Sequence, residues 1–262
     1  MTDASSLLPP ALQLGRALRG ELVKVRSTRT LAVSLAATTV IALATVGSLA
    51  GMVRSRADES WPIQDAWGAY GLVLTAIPVL LAWAAHLFLG ELGNGLLRSS
   101  CIAVPRRGTV FLAKGVLAAT VCAASVTVLF PACHAVFAAV LDRPQALAYV
   151  VTPAGLSILA RLAFVTACWG TISVGVAAVT RRSALSIGLI AGLYLFVESY
   201  LFSAPSASWL VYVLPFASGK AVVPELSDVV VDHPALAALG QLGTTIAVTV
   251  LAWWTTVRRD VP

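Results

Sequence analysis

The chain has 262 residues, 58% of them hydrophobic and only 11% charged, with a formal net charge of +6 and a mean hydropathy of +0.88. A soluble domain carries about a quarter charged residues, so this composition excludes an ordinary water-facing globule and points to an integral membrane protein. The positive balance does not call for nucleic acid, because membrane proteins collect Lys and Arg in the segments that stay in the cytosol.

In chain order, residues 10–29, "PALQLGRALRGELVKVRSTR", come first. Leu14, Leu18, Leu22 and Val25 recur at helical spacing, which predicts an amphipathic interfacial helix. Arg19, Lys24, Arg26 and Arg29 can reach anionic lipid headgroups. The first 29 residues are too polar for a cleaved signal peptide, so the first apolar run is expected to stay as a span. Six apolar runs follow, at 31–53, 68–89, 110–141, 154–180, 184–203 and 235–257. Crossing a bilayer takes about 20 such residues. The third and fourth runs exceed this and are expected to tilt, kink or project. Pro78 and Pro131 are the expected kink points.

Between the second and third runs lies "GELGNGLLRSSCIAVPRRGTVFLAKG" (90–115). At 100° per residue, Leu89, Leu92 and Leu96 share one side, and Glu91, Asn94 and Arg98 share the other. This segregation predicts a short helix on the membrane surface, apolar face inward and polar face to the cytosol. Pro105 ends it. Further on, Thr152-Pro153 reads as an N-cap and first helical residue, and Thr180-Arg181-Arg182-Ser183 as a tight turn that makes a hairpin of spans four and five. Residues 204–234 hold four prolines around "SWLVYVLPFASGKAVV". A segment so apolar is expected to dip into the outer leaflet as an interfacial or re-entrant helix. Six spans put both termini on one side. That side holds 13 of the 18 Lys and Arg residues, which assigns it to the cytosol.

A charge within a span is costly, roughly 2.5–3.5 kcal/mol at the bilayer centre on insertion scales. Arg161 and Glu198 lie at similar depths near the outer ends of spans four and five, so they are expected to pair, the alternative being independent snorkelling. His86 and His134 are expected as hydrogen-bonded core residues. The four cysteines have no CxxC spacing and read as small hydrophobes. No GxxxxGK[ST] phosphate loop occurs; "SGKA" at 218–221 lacks its glycine and hydroxyl.

The pattern "RGELVKVRSTRT" before span one, two spans split by an outer loop, then "GELGNGLLRSSCIAVPRRGTVFLAKG", resembles the ABC-2 type transporter permeases in their actinobacterial style. The resemblance implies an all-α membrane protein: six transmembrane helices with both termini cytoplasmic, in a bacterial plasma membrane. It implies a half-transporter that pairs with a second permease, identical or paralogous, and binds a separate cytosolic ATP-binding cassette subunit. ATP and Mg would be held by that partner, with no catalytic residue, cofactor or metal on this chain. Residues 90–104 would be the coupling helix, touching the ATPase through Glu91, Asn94 and Arg98. Arg19, Glu21, Lys24 and Arg26 of the N-terminal helix would touch the ATPase or lipid beside it. The expected role is export of a hydrophobic or amphipathic cargo: a peptide antibiotic, a drug-like metabolite or a lipid. The alternative is a non-transporting anchor or assembly protein that docks a cytosolic partner.

Overall fold

The computed structural model describes residues 10–55, 69, 75–93, 107–197, 205–226 and 233–258, and every regular element among them is helical. The longer helices are α1 (Pro10–Ser27), α2 (Arg29–Ser55), α3 (Ile77–Gly93) and α4 (Arg107–Leu141). They are followed by short α5 (Pro144–Ala148), α6 (Pro153–Thr180), α7 (Ser183–Gly192), short α8 (Ala217–Val222) and α9 (Pro234–Arg258).

Among the described residues, four helices are long and apolar enough to cross a membrane: α2, α4, α6 and α9. The second and fifth expected spans correspond to α3 and α7, which are shorter apolar helices. Each adjoins residues outside the described set: α3 is preceded by 70–74, and α7 continues through a wider π-type turn, Leu193–Val197, up to 198–204.

α6 is the centre of the bundle, packed by α3, α4 and α9. Its buried face runs from Ile158 through Leu162, Val165 and Trp169 to Ile172 and Ala177. Small residues let the neighbours come close, as in helix pairs within lipid. A Cβ on Gly170 would lie 2.9 Å from the Cys122 sulfur and 3.1 Å from the Ala118 carbonyl oxygen. By contrast, α2 and α9 keep long apolar faces open, including Val33, Val40 and Met52 on α2 and Leu239, Ile246 and Val250 on α9.

Several local expectations hold. Thr152 is the N-cap of α6: its hydroxyl accepts from the Gly155 N–H at 3.1 Å, with Pro153 in the first helical position. The Thr180–Ser183 turn closes by placing Arg181 in the left-handed region (φ 54°), its N–H donating to the Ala177 carbonyl at 3.0 Å. Pro131 lies inside α4. Pro78 is the second residue of α3 and follows a wider π-type turn at 75–76 that runs straight into the helix.

The two histidines separate. His134 is buried in α4, with Nδ1 2.9 Å from the Phe130 carbonyl oxygen and its ring beside Phe130 and Tyr149. His86 is exposed on α3, so its expected core position is corrected.

Residues 205–226 fold back onto the bundle. A 3-10 stretch, Pro205–Tyr212, leads into α8, whose Ala217, Ser218, Gly219, Ala221 and Val222 are all buried. Trp169, Tyr194 and Phe216 meet edge to face or tilted, with centroids 5.3–5.9 Å apart. The Trp169 indole N–H donates to the Pro215 carbonyl at 3.1 Å. Burial of "LPFASGKAVV" agrees with the expectation that it does not float in water.

Candidate functional site: a ring of four charges

α1 is helical as expected, with Leu14, Leu18, Leu22 and Val25 at helical spacing. The residues it buries against the bundle are Gln13, Ala17, Glu21 and Val25, while Leu22 is exposed. Glu21 therefore lies inward, where it meets charge partners in the bundle.

Those partners form a closed ring. Glu21 accepts from Lys24 Nζ through Oε1 at 2.7 Å and from Lys114 Nζ through Oε2 at 2.6 Å. Glu91 accepts from Lys24 through Oε1 at 2.7 Å and contacts Lys114 through Oε2 at 2.9 Å. Each carboxylate thus bridges both ammoniums with its two oxygens, and the four charges sum to zero. The members come from three helices: Glu21 and Lys24 from α1, one turn apart, Glu91 from the last turn of α3, and Lys114 from the second turn of α4.

Burial grades around the ring. The Lys114 side chain is 1% exposed, Glu21 5% and Glu91 11%, whereas Lys24 is 40% exposed and closes the ring toward solvent. Removing charges from water is costly, and their mutual attraction offsets this only with good geometry and every partner in place. Short, charge-assisted bonds on both oxygens of both carboxylates meet that condition. The Glu91 carboxyl, which lies beyond the apolar run ending at Leu89, is held below the ordinary glutamate value. Burial opposes its ionisation, but Lys114 and Lys24 outweigh it. For Lys24, burial disfavours the charged form, yet Glu21 and Glu91 outweigh it and hold its pKa above the ordinary lysine value. A carboxylate held ionised in this way is a poor proton donor near neutrality. The arrangement serves as a clamp between helices.

The expected contact residues divide accordingly. Glu21, Lys24 and Glu91, expected at a docking surface, are brought together and turned onto one another, with both carboxylates buried. Arg19 and Arg26 remain exposed on α1. Asn94 and Arg98, with the rest of 94–106, lie outside the described residues. α3 runs unbroken through Glu91 to Gly93, so this carboxylate belongs to the end of that helix.

Arg161 is bound at the opposite end of the bundle. Its Nη2 is 2.6 Å from Glu225 Oε1, and Nη1 donates to the Val222 carbonyl at 3.0 Å. Glu198, its expected partner, lies outside the described residues.

Lys114 and Glu225 were missed. One signal was available: the chain has only three lysines among 18 basic residues, and all three make polar contacts to other helices. Lys24 and Lys114 close the ring, and Lys220 donates to the Tyr194 carbonyl at 2.6 Å with its ammonium 4.6 Å from the Tyr194 ring centre.

No family model matches the chain, and comparison with curated proteins finds no relative.

Proposed function

We propose that this chain is the transmembrane permease subunit of an ATP-driven exporter of the ABC-2 type, moving a hydrophobic or amphipathic cargo out of a bacterial cell. In this reading the chain crosses the plasma membrane six times with both termini in the cytosol. The second and fifth of these crossings include α3 and α7. Two permeases pair, and a cytosolic ATP-binding cassette subunit binds and hydrolyses ATP with Mg.

The observation that carries the reading is the ring. It fixes an amphipathic helix outside the four long apolar helices to the ends of two helices within the bundle. Moving α1, α3 or α4 alone breaks at least two ion pairs, so a push on one of them moves all three. The segment 94–106 links α3, which carries Glu91, to α4, which carries Lys114. A partner pressing there, or on Arg19 and Arg26 of α1, would shift the ends of two apolar helices together. That is the mechanical coupling an ATP-driven permease needs, and it requires no covalent chemistry on this chain.

The test uses the tagged chain purified from its native membrane with whatever ATP-binding subunit accompanies it. The reading expects such a subunit, with ATP hydrolysis that depends on the permease in liposomes. Arg19→Glu with Arg26→Glu should uncouple hydrolysis from export while leaving insertion intact, because both side chains are exposed. Normal export by that double variant removes the α1 contact. A bound ATPase indifferent to the chain would favour the anchor role, and absence of any ATP-binding partner would overturn the proposal.

A further inference from the structure

A cleft of about 410 Å³ opens between α2, α3 and α7, away from the ring. That volume lies within the range of small-ligand sites. Its lining is ordered along the helices. α2 contributes Arg29 at its first residue and Val33 one turn deeper; α3 contributes His86 toward its C-terminal end, then Trp83 and Val79 deeper. On α3, Val79, Trp83 and His86 fall at i, i+4 and i+7, one stripe of a helix, and His86 stands about 10 Å along the axis from Val79. The ends of α2 and α3 that carry Arg29 and His86 both lie toward α1. The cleft is therefore basic at its mouth and apolar in its depth, with Ile187 of α7 on its far wall.

Among the described residues, no acidic side chain lines it. Among the described residues neither Arg29 nor His86 has a side-chain hydrogen bond or ion pair, and both are exposed. Basic pockets between membrane helices on the cytoplasmic side suit anionic headgroups.

We propose that this cleft binds one anionic phospholipid from the leaflet nearest α1. The headgroup phosphate lies against Arg29 and His86, and an acyl chain follows Val33, Trp83 and Val79 into the bilayer. The inference rests on the membrane placement proposed above and is independent of any ATPase. Its ligand is a resident lipid of the bilayer, not the exported cargo.

The full chain in detergent is titrated with phosphatidylglycerol, phosphatidylcholine or inorganic phosphate while its thermal unfolding is followed. Phosphatidylglycerol should raise Tm saturably, with little effect from the other two. Arg29→Gln with His86→Gln should weaken that response roughly tenfold, with Tm unchanged when no lipid is added. In nanodiscs, brominated-chain phosphatidylglycerol should quench tryptophan fluorescence more than brominated phosphatidylcholine does, and Trp83→Phe should remove the excess. Equal responses to the two lipids, an undiminished response in the double variant, or a response to phosphate alone would each overturn the site. So would an excess that persists in Trp83→Phe. A chain that stays soluble without detergent or lipid would instead overturn the membrane placement itself.

Discussion

The two ends of the bundle each hold a short amphipathic element against the apolar helices, by opposite means. At the α1 end, four full charges lie in a ring, two of them on one helix and two on others. At the far end, residues 205–226 are held by shape: an aromatic trio, two backbone carbonyls accepting from Trp169 and Lys220, and glycines that admit close neighbours. The Arg161–Glu225 pair there is partly exposed on both sides, so it contributes little by comparison. The first kind of clamp is all-or-none, because a missing member leaves buried charge behind. The second kind yields by degrees, as packing does.

The sharpest way to break the comparison is Lys114→Met. It keeps the apolar stem but leaves Glu21 and Glu91 buried without the ammonium that bridges them from inside. Breaking a buried ion pair from one side costs about 3–5 kcal/mol. Chemical unfolding in detergent should show a loss of that order, and accessibility of α1 to proteases should rise with no change in residues 205–226. A variant as stable as the parent would mean that the ring contributes little to holding α1.

The far end should answer to shape instead. A Cβ on Gly240 of α9 would stand 1.9 Å from the Tyr212 carbonyl oxygen, a backbone atom that cannot swing aside. Gly240→Ala should therefore cost about 1–3 kcal/mol, as overpacking generally does. Its signature is protease sensitivity within 205–226 while α1 stays protected. If α1 loosens equally, the two ends are not separate clamps.

The local features were legible because neighbours in sequence settle them. Thr152-Pro153 announces a helix start through its own hydroxyl and ring. Thr180–Ser183 leaves too few residues for anything but a turn. The long apolar runs are visible from composition, and four of them form helices of crossing length. The ring was not legible. Glu21 and Lys114 are 93 positions apart, and no periodicity relates them. The leucine spacing of α1 announces the helix but not that its buried side runs through Gln13, Ala17 and Glu21. Glu91 was assigned to a solvent stripe for the same reason: a helical wheel shows which residues share a side and not what that side faces. Arg161 is a second long-range case: the guanidinium reaches Glu225, 64 residues away, on the segment folded back over the bundle, while Glu198, the expected partner, lies outside the described residues.

Acid should separate the two ends more gently than either substitution. Glu91 has its pKa depressed in the folded chain. Its contribution is therefore complete above the ordinary glutamate value and is lost as pH falls through the depressed one. Lys24 is shifted the other way: its contribution is complete below the ordinary lysine value and is lost only as pH rises through the raised one. The ring is thus whole across neutral pH and opens on the acid side below the usual glutamate range. The effect is smaller than that of Lys114→Met because a protonated Glu91 carboxyl is neutral, whereas that substitution leaves two buried carboxylates facing one another. Fluorescent labels on exposed positions of α1 and of residues 209–226 would report the two ends in one descending pH series. Release of α1 should come first, and Glu91→Gln should remove the Glu91 part of that step, leaving α1 less tightly held at neutral pH. Simultaneous release of both segments would mean that acid unfolds the bundle as a whole, and the contrast between a charged clamp and a packed one would lose its physical basis.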